Sequence, residues 1–249
     1  TFEKYRDPVT LCIHNTDFQF APVAGYADLA MGGENPLPGD GTPDFMDMWP
    51  REWMDIMFNQ NLWGYMLSHL YHYSGITDAA GEWDRAASMK GHRACMASML
   101  VHGVPFFQGL EYKEFLKGRF ELFASLPGEM AFIPSWSAAG RFKSPDPTVD
   151  VAVYRKDNAL LIIAANYAKE GRRTDLWFDF PKLLRAPGKL EYRRLVDLET
   201  FESPGYIVKE GGLPSGTIST PANLSVEIAP RDFRAYVLFN APASQGAGF

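Results

Sequence analysis

The chain has 249 residues, of which 46% are hydrophobic and 22% charged, and its formal net charge is −6 at pH 7. This composition indicates one large or two ordinary folded domains and excludes wholesale disorder. The acidic balance argues against a nucleic-acid partner, and no apolar run approaches the roughly 20 residues that span a bilayer.

The cysteines and the first residue leave the compartment open. Cys12 lies in an apolar strand-like run and Cys95 in a helical pattern, so we expect two buried free thiols. The sequence starts at Thr1 without a signal-peptide pattern. We therefore expect a processed or trimmed product, and secretion or a periplasmic location stays open.

The front of the chain alternates strand-like and helix-like segments. Apolar, β-rich runs predict strands over 9–13, 23–28 and 104–107, the first of them ending at His14-Asn15-Thr16-Asp17. A loop rich in Gly and Pro follows the second strand, from Gly32 to Pro43. Three- and four-residue spacing of apolar side chains predicts helices from Pro50 towards Gly75, over Trp83–Val101 and over Tyr112–Leu126.

A linker over residues 140–147 precedes a different pattern. The Lys143-Ser144-Pro145-Asp146-Pro147 stretch is incompatible with regular structure. Beyond it come strand-like runs with no helix between them, and alternation in Val149–Tyr154 is typical of a half-buried antiparallel strand. The runs are 149–155, 159–166, 174–180, 190–197, 218–228 and 235–239. They predict a β-sandwich over 146–249, after an α/β region over 1–145.

The front region is too short for a complete (β/α) barrel. Such a barrel needs roughly 200–250 residues, and residues 1–145 hold few strand-like segments. We therefore expect the fold class α/β plus all-β, the α/β region being the C-terminal part of a (β/α) barrel. An N-terminal half of the same protein, or a partner chain, would complete that barrel.

Two segments carry a resemblance to barrel-type glycoside hydrolases. The run from Gly103 to Glu111, Gly-Val-Pro-Phe-Phe-Gln-Gly-Leu-Glu, resembles the last barrel strand of the α-amylase clan, and Ile13–Asp17 resembles its Asn-His-Asp strand end. The segment Ala27–Asn35, Ala-Asp-Leu-Ala-Met-Gly-Gly-Glu-Asn, is similar to glycoside hydrolases of family 123. The paired Asp-Glu of that family is absent from the matching segments. The resemblance implies a carbohydrate substrate and no organic cofactor.

Four carboxylates are candidates for acid/base chemistry. Glycoside hydrolysis uses two carboxyl groups, about 5–5.5 Å apart for retention and roughly 6.5–9.5 Å apart for inversion. Glu34 follows two glycines that allow close approach of a ligand. We assign catalysis to Glu34 and Asp28, and substrate contacts to Asp47 and Glu111; capping of a loop or helix is the alternative role for these carboxylates.

Further substrate contacts are expected from the strand ends. His14 and Asp17 close the first strand and can hydrogen-bond a sugar hydroxyl, although a satisfied core histidine is the alternative for His14. Trp49 precedes a predicted helix and offers a flat face for a pyranose ring. His69 and His72, three apart on the predicted helix, lack a third ligand, so no metal is expected.

The sequence therefore predicts a glycoside hydrolase that uses carboxylate acid/base chemistry, this chain forming its C-terminal part. Two alternatives stay open. One is a hydrolase or transglycosylase of the α-amylase clan acting on α-glucans. The other is a sugar-binding or structural protein without catalysis. The sequence contains neither a phosphate-binding loop nor a Gly-x-Ser-x-Gly nucleophile motif.

Overall fold

The structure is a computed structural model, and it divides into two compact units, Thr1–Lys113 and Glu114–Phe249. The residues that it describes are 12–15, 29–32, 45–57, 66–70, 80–82, 84–104, 106–107, 120–157, 159–184, 190–199, 217–218 and 222–240.

Strands and helices alternate along the first unit. In chain order its described elements are β1 (Cys12–Asn15), β2 (Leu29–Gly32), α1 (Phe45–Met48), α2 (Arg51–Met57), β3 (Met66–Leu70), α3 (Arg85–His102) and β4 (Phe106–Phe107). The four described strands pair in parallel in the order β1-β2-β3-β4. Helices α1 and α2 pack on α3. Helices lie between β2 and β3 and between β3 and β4, as the alternating sequence pattern predicts.

Helix α3 forms because both of its ends are capped. The Asp84 side chain accepts a hydrogen bond from the Ala87 amide at 2.9 Å, and Gly103 ends the helix at φ 67°. Every residue from Ala94 to Met99 is buried, so this part of the helix is covered on all sides. The predicted helix over 83–101 is thus confirmed.

Other predicted boundaries in this unit are wrong. Helix α2 ends at Met57, and residues 66–70 form β3 instead of continuing a helix. A short apolar run fits a buried strand as well as a helix turn, and pairing with β2 and β4 selects the strand here. Residues 9–11 and the predicted strand over 23–28 lie outside the described part, in which β1 begins at Cys12 and β2 at Leu29.

The second unit is mostly β-structure. Its described elements are α4 (Glu121–Ala124), β5 (Ala131–Ile133), a 3-10 turn (Ser135–Ser137), β6 (Phe142–Lys143), β7 (Val149–Lys156), β8 (Ala159–Asn166), β9 (Arg172–Phe178), α5 (Phe180–Leu184), β10 (Leu190–Asp197), β11 (Thr217–Ile218), β12 (Ala222–Ile228) and β13 (Phe233–Asn240). The predicted strands over 149–155, 159–166 and 190–197 are confirmed. The predicted helix over 112–126 is reduced to α4 among the described residues.

Two antiparallel sheets share one core in this unit. The described strands of the larger sheet run in the order β11-β10-β13-β8-β7-β5, and those of the smaller in the order β12-β9-β6. Val151, Ile162 and Leu238 of the first sheet belong to the same buried cluster as Leu176 and Leu224 of the second. Burial of these apolar side chains is the main favourable contribution to the stability of this unit.

The middle strands are buried on both faces. Val149–Tyr154, expected to be half-buried, is buried at every position, and so is the whole of β8. Asp150 is accommodated because its Oδ1 accepts a hydrogen bond from the Val151 amide at 2.8 Å. The alternation in β7 therefore marks two covered faces instead of one covered and one solvated face.

The linker segment is partly regular. Lys143, expected to lie in irregular chain, belongs to β6, which pairs with β9, and β5 pairs with β7. The second unit consequently begins before the 145/146 boundary that the linker suggested. The reason is that β5 and β6 extend sheets whose other strands come later in the chain.

Candidate functional site

The carboxyl ends of the parallel strands form one edge of the first unit. The register brings Asn15 of β1 beside Gly32 of β2, Gly32 beside His69 of β3, and His69 beside Phe106 of β4. Strands in a sheet lie about 4.8 Å apart, so three neighbouring strands bring backbone from distant parts of the sequence within about 10 Å. In parallel α/β proteins ligands bind at this edge.

Three sequence-predicted site residues follow strands at this edge. Asp17 comes two residues after β1, Glu34 two residues after β2, and Glu111 four residues after β4. All three lie outside the described residues. The covalent chain nevertheless limits the Cα of Asp17 and that of Glu34 to about 7 Å from the last Cα of their strands.

Asp28, the other proposed catalytic carboxylate beside Glu34, does not follow a described strand. It also lies outside the described residues, and it directly precedes Leu29, the first residue of β2. The two ends of this four-residue strand are about 10 Å apart. Asp28 was expected to be the last residue of a strand over 23–28, and that segment lies outside the described residues.

Asp47 and Trp49 lie at the junction of α1 and α2. Asp47 is exposed and Trp49 half-buried. The Trp49 amide donates a hydrogen bond to the Phe45 carbonyl at 2.8 Å, which fixes the backbone between the two helices. Phe45 and Met54 are fully buried on either side of the junction. Packing of these neighbours therefore holds the junction in place, while Asp47 stays accessible to solvent.

Of the two histidines considered for a metal, His69 lies differently from the expectation and His72 is outside the described residues. His69 is in β3, a strand, so it does not share a helix face with His72. His14 is the third residue of β1, one residue before its carboxyl end. Within the described part of the chain, no three His, Cys, Asp or Glu side chains group as metal ligands.

A buried histidine pairs with a carboxylate between α2 and α3. His102 Nδ1 lies 2.7 Å from the Ser98 carbonyl and Nε2 lies 3.0 Å from Asp55 Oδ1. Both partners are hydrogen-bond acceptors, and the two contacts tie His102 to its own helix and to Asp55 of α2. Because α3 leads through Gly103 into the amino end of β4, this pair lies at the end of the strand opposite the candidate site. It joins two helices and is structural.

Cys95 is excluded as a nucleophile by its surroundings. It is a free, buried cysteine on α3. Burial raises the pKa of its thiol, which keeps the sulfur protonated and unreactive. Among the described residues no helix is both long and apolar enough to cross a membrane.

Solved structures with a similar fold are carbohydrate-active enzymes. A GH27 β-L-arabinopyranosidase from Geobacillus stearothermophilus, in complex with arabinose, matches 94% of this chain and 51% of its own at 14% identity and a TM-score of 0.50. A noncanonic maltogenic α-amylase from Thermotoga neapolitana matches 96% of this chain and 57% of its own, also at 14% identity and a TM-score of 0.50. This chain shares part of the fold of these two enzymes.

The likeness covers the fold alone, and no specific family follows from it. The chain spans about half the length of each of these two structures. No family profile matches the sequence. No curated protein sequence matches it either.

Two residues at the candidate edge were not predicted from the sequence as part of the site. Asn15 and His69 flank Gly32 in the register, and glycine contributes no side chain between them. Assigning His69 to a helix concealed its position at a strand end. The signal available in the sequence was the short run Met66–Leu70, bounded by Gly64 and by the polar Tyr71-His72-Tyr73 stretch.

Proposed function

We propose that this chain is the C-terminal part of a glycoside hydrolase whose sugar-binding face lies at the carboxyl edge of β1–β4. The supporting observation is the parallel four-strand sheet within a chain that spans about half of two carbohydrate-active enzymes of similar fold. The two sheets of the second unit would form the β-sandwich expected after the barrel. Barrel strands from an N-terminal half, or from a partner chain, would pair with the edges of the parallel sheet.

Glu34 is the proposed catalytic carboxylate of this chain. It follows the carboxyl end of β2, and barrel enzymes take their catalytic groups from such ends. Asp28 precedes the same strand, which makes it the weaker of the two carboxylate candidates. His14, Asp17, Asp47, Trp49 and Glu111 are the proposed substrate contacts, and the backbone position of His69 adds that residue to the set.

Two substrate classes are in competition. The arabinopyranosidase likeness favours hydrolysis of a terminal pyranoside, and the maltogenic amylase likeness favours hydrolysis of an α-glucan. Both reactions use a carboxylic acid that protonates the leaving oxygen and a carboxylate that attacks the sugar or activates water. We therefore propose the same carboxylate chemistry for either substrate. The shape of the loops at the carboxyl edge of the sheet would decide which substrate binds.

The complete gene product tests this proposal. We expect it to hydrolyse either p-nitrophenyl β-L-arabinopyranoside or maltotriose, and Glu34→Gln to lower kcat by about 10²–10⁴-fold, the contribution of one acid or base group. Asp28→Asn is the matched variant, with an expected loss below about tenfold because it lies at the other end of β2. Full activity of Glu34→Gln, or a larger loss in Asp28→Asn, would contradict the assignment.

A further inference from the structure

A groove opens in the second unit, away from the proposed catalytic edge along the chain. Its volume is about 850 Å³, and the described residues that line it come from both antiparallel sheets. They include Arg172 and Arg173 of β9, Glu227 of β12, and Arg234 and Tyr236 of β13. The lining is therefore mixed: these charged and phenolic side chains lie beside apolar residues such as Val226 and Pro230.

Charged side chains form the floor of the groove. They lie on the faces of β10 and β13 whose other side chains point into the core. Asp197 is the register partner of Tyr236, just as Leu195 is the partner of Leu238 in the buried cluster. Arg234 forms an ion pair with Asp197. A buried ion pair is often no more stabilising than apolar residues of equal volume. Core packing therefore gives no reason for this pair.

Protonation states in the floor are fixed at neutral pH. Burial raises the pKa of Tyr236, and the nearby Asp197 carboxylate raises it further, so the phenol stays neutral. Burial opposes the charge on Arg234, yet Asp197 and Tyr236 hold its pKa above the usual value. Arg234 Nε is buried without a hydrogen-bond partner in the described structure. The floor thus presents a guanidinium, a carboxylate and a neutral phenol, and one buried N–H of Arg234 is unpaired there.

The wall of the groove is a strand edge. Side chains alternate along a strand, but every residue from Ser225 to Ile228 lines the groove. The backbone edge of β12 must therefore line it. Strand β12 has β9 as its one neighbour among the described strands, so this edge offers N–H donors and C=O acceptors in alternation.

The rim carries a second pair of opposite charges. Arg173 and Glu227 are register partners across β9 and β12, both exposed, and no ion pair joins them in the described structure. Arg172, by contrast, is held by Thr148 Oγ1 at 3.1 Å and by Glu170 Oε2 at 3.4 Å. The rim therefore offers a donor and an acceptor that are both available to a ligand.

We propose that this groove is a second carbohydrate site, which binds a neutral sugar through Arg173 and Glu227 at its rim and the Asp197–Arg234 pair at its floor. Each hydroxyl both donates and accepts, and paired carboxylate and guanidinium groups match this double role. An anion would face Asp197 and Glu227, and a cation would face the arginines.

Titration of the full chain by NMR tests the proposal, with maltose and L-arabinose as sugar probes and inorganic phosphate as the anionic probe. We expect saturable shifts with either sugar at Arg173, Ser225 and Glu227, with a millimolar Kd, and no saturable shifts with phosphate. Arg173→Ala and Glu227→Gln should each weaken sugar binding about tenfold, because a hydrogen bond to a charged group is lost. Both side chains are exposed, so the melting temperature should not change.

The matched control is Lys143→Ala, an exposed cation on β6 at the other described edge of the same sheet. It should bind sugar as the parent does, because Lys143 lies at the edge of the sheet away from β12. Three results would overturn the proposal: phosphate binding without sugar binding, sugar affinity unchanged in both rim variants, or the absence of saturable shifts with either sugar.

Discussion

Asp146 illustrates how one side chain organises a turn that the sequence marked as irregular. Its Oδ1 accepts hydrogen bonds from the Thr148 amide at 2.8 Å and from the Thr148 hydroxyl at 2.7 Å. Arg172 Nε lies 3.6 Å from Asp146 Oδ2. These contacts, the Thr148 hydroxyl first, lower the pKa of Asp146 below its ordinary value of 3.8. The Pro-rich stretch before β7 is therefore ordered by side-chain hydrogen bonds, in place of a strand ladder.

A pH dependence of stability follows from this turn. A carboxyl whose folded pKa is depressed contributes stability that is present above the unfolded pKa of about 3.8 and is lost as the pH falls through the folded pKa. Thr148→Val removes the hydroxyl donor, so the pKa of Asp146 should rise towards 3.8 and the stability at pH 6 should fall. Carboxyl ¹³C titration and urea unfolding at pH 6 and pH 3 measure both effects.

Thr148→Ser is the control for that variant because it keeps the hydroxyl. We expect the pKa of Asp146 in Thr148→Ser to stay close to the parent value. A pKa that is equally low in Thr148→Val would show that the amide and Arg172 are sufficient.

Elements are joined in this fold by a few buried polar contacts. Lys156, at the end of β7, is buried, and its Nζ donates to the Ala124 carbonyl at 2.7 Å and the Leu126 carbonyl at 2.6 Å. The same ammonium lies 5.5 Å from the centre of the Phe123 ring. Cations stabilise the carboxyl end of a helix, where the last carbonyls lack partners inside the helix. Lys156 therefore fixes the short helix α4 to the larger sheet.

Lys156→Met tests the importance of this link. Methionine keeps the length of the side chain but leaves two carbonyls without their donor, so we expect a loss of about 2 kcal/mol in the free energy of unfolding. Lys169→Met, at an exposed lysine of the same unit, should change it by less than about 0.5 kcal/mol. Urea unfolding measures both values. Equal stability of the two variants would mean that solvent replaces the Lys156 contacts.

Helices and strands were predicted correctly from the sequence where their hydrophobic pattern was long. The 18-residue helix α3 and the eight-residue strand β8 carry enough periodic positions, and clear enough boundaries, to be recognised. The five residues of β3 do not, because Met66, Leu67 and Leu70 satisfy both helical and strand spacing. The pairing of this segment with β2 and β4 decided that it is a strand, and that pairing depends on residues far away in the sequence.

At the scale of the molecule, the division into units follows strand pairing and departs from the composition of the linker. Ile133, Ala138 and Phe142 come before residue 146, yet they belong to the buried cluster of the second unit. A chain that starts at residue 146 therefore lacks β5, β6 and part of its core. Removing a buried aromatic side chain alone typically costs about 3–5 kcal/mol.

Fragments measure this dependence directly. We expect residues 114–249 to unfold cooperatively, and residues 146–249 to be destabilised by more than about 3 kcal/mol or to lose cooperative unfolding. Residues 120–249 are the control, since they retain every described element of the unit and should match 114–249. Thermal unfolding by circular dichroism distinguishes these cases. Equal midpoints for 114–249 and 146–249 would place the domain boundary at the linker after all.

The candidate site was predictable only in outline. Strand ends with polar residues after them indicated the edge, so His14, Asp17, Glu34 and Glu111 could be proposed from local sequence alone. The grouping of Asn15, Gly32 and His69 could not, because it depends on the register of three strands. The position of Asp28 at the end of a strand over 23–28 stays a prediction, because those residues lie outside the described part of the chain.

The sequence by itself determined the two kinds of structure in this chain, parallel strands joined by helices and then antiparallel strands, because hydrophobic period and helix caps are local properties. Tertiary structure alone decided which segments pair. It assigned Met66–Leu70 to a strand, joined Phe142–Lys143 to β9, and brought Asp197, Arg234 and Tyr236 together at one groove. The physical reason is that strand pairing satisfies backbone hydrogen bonds with distant partners, whose identity no local pattern specifies.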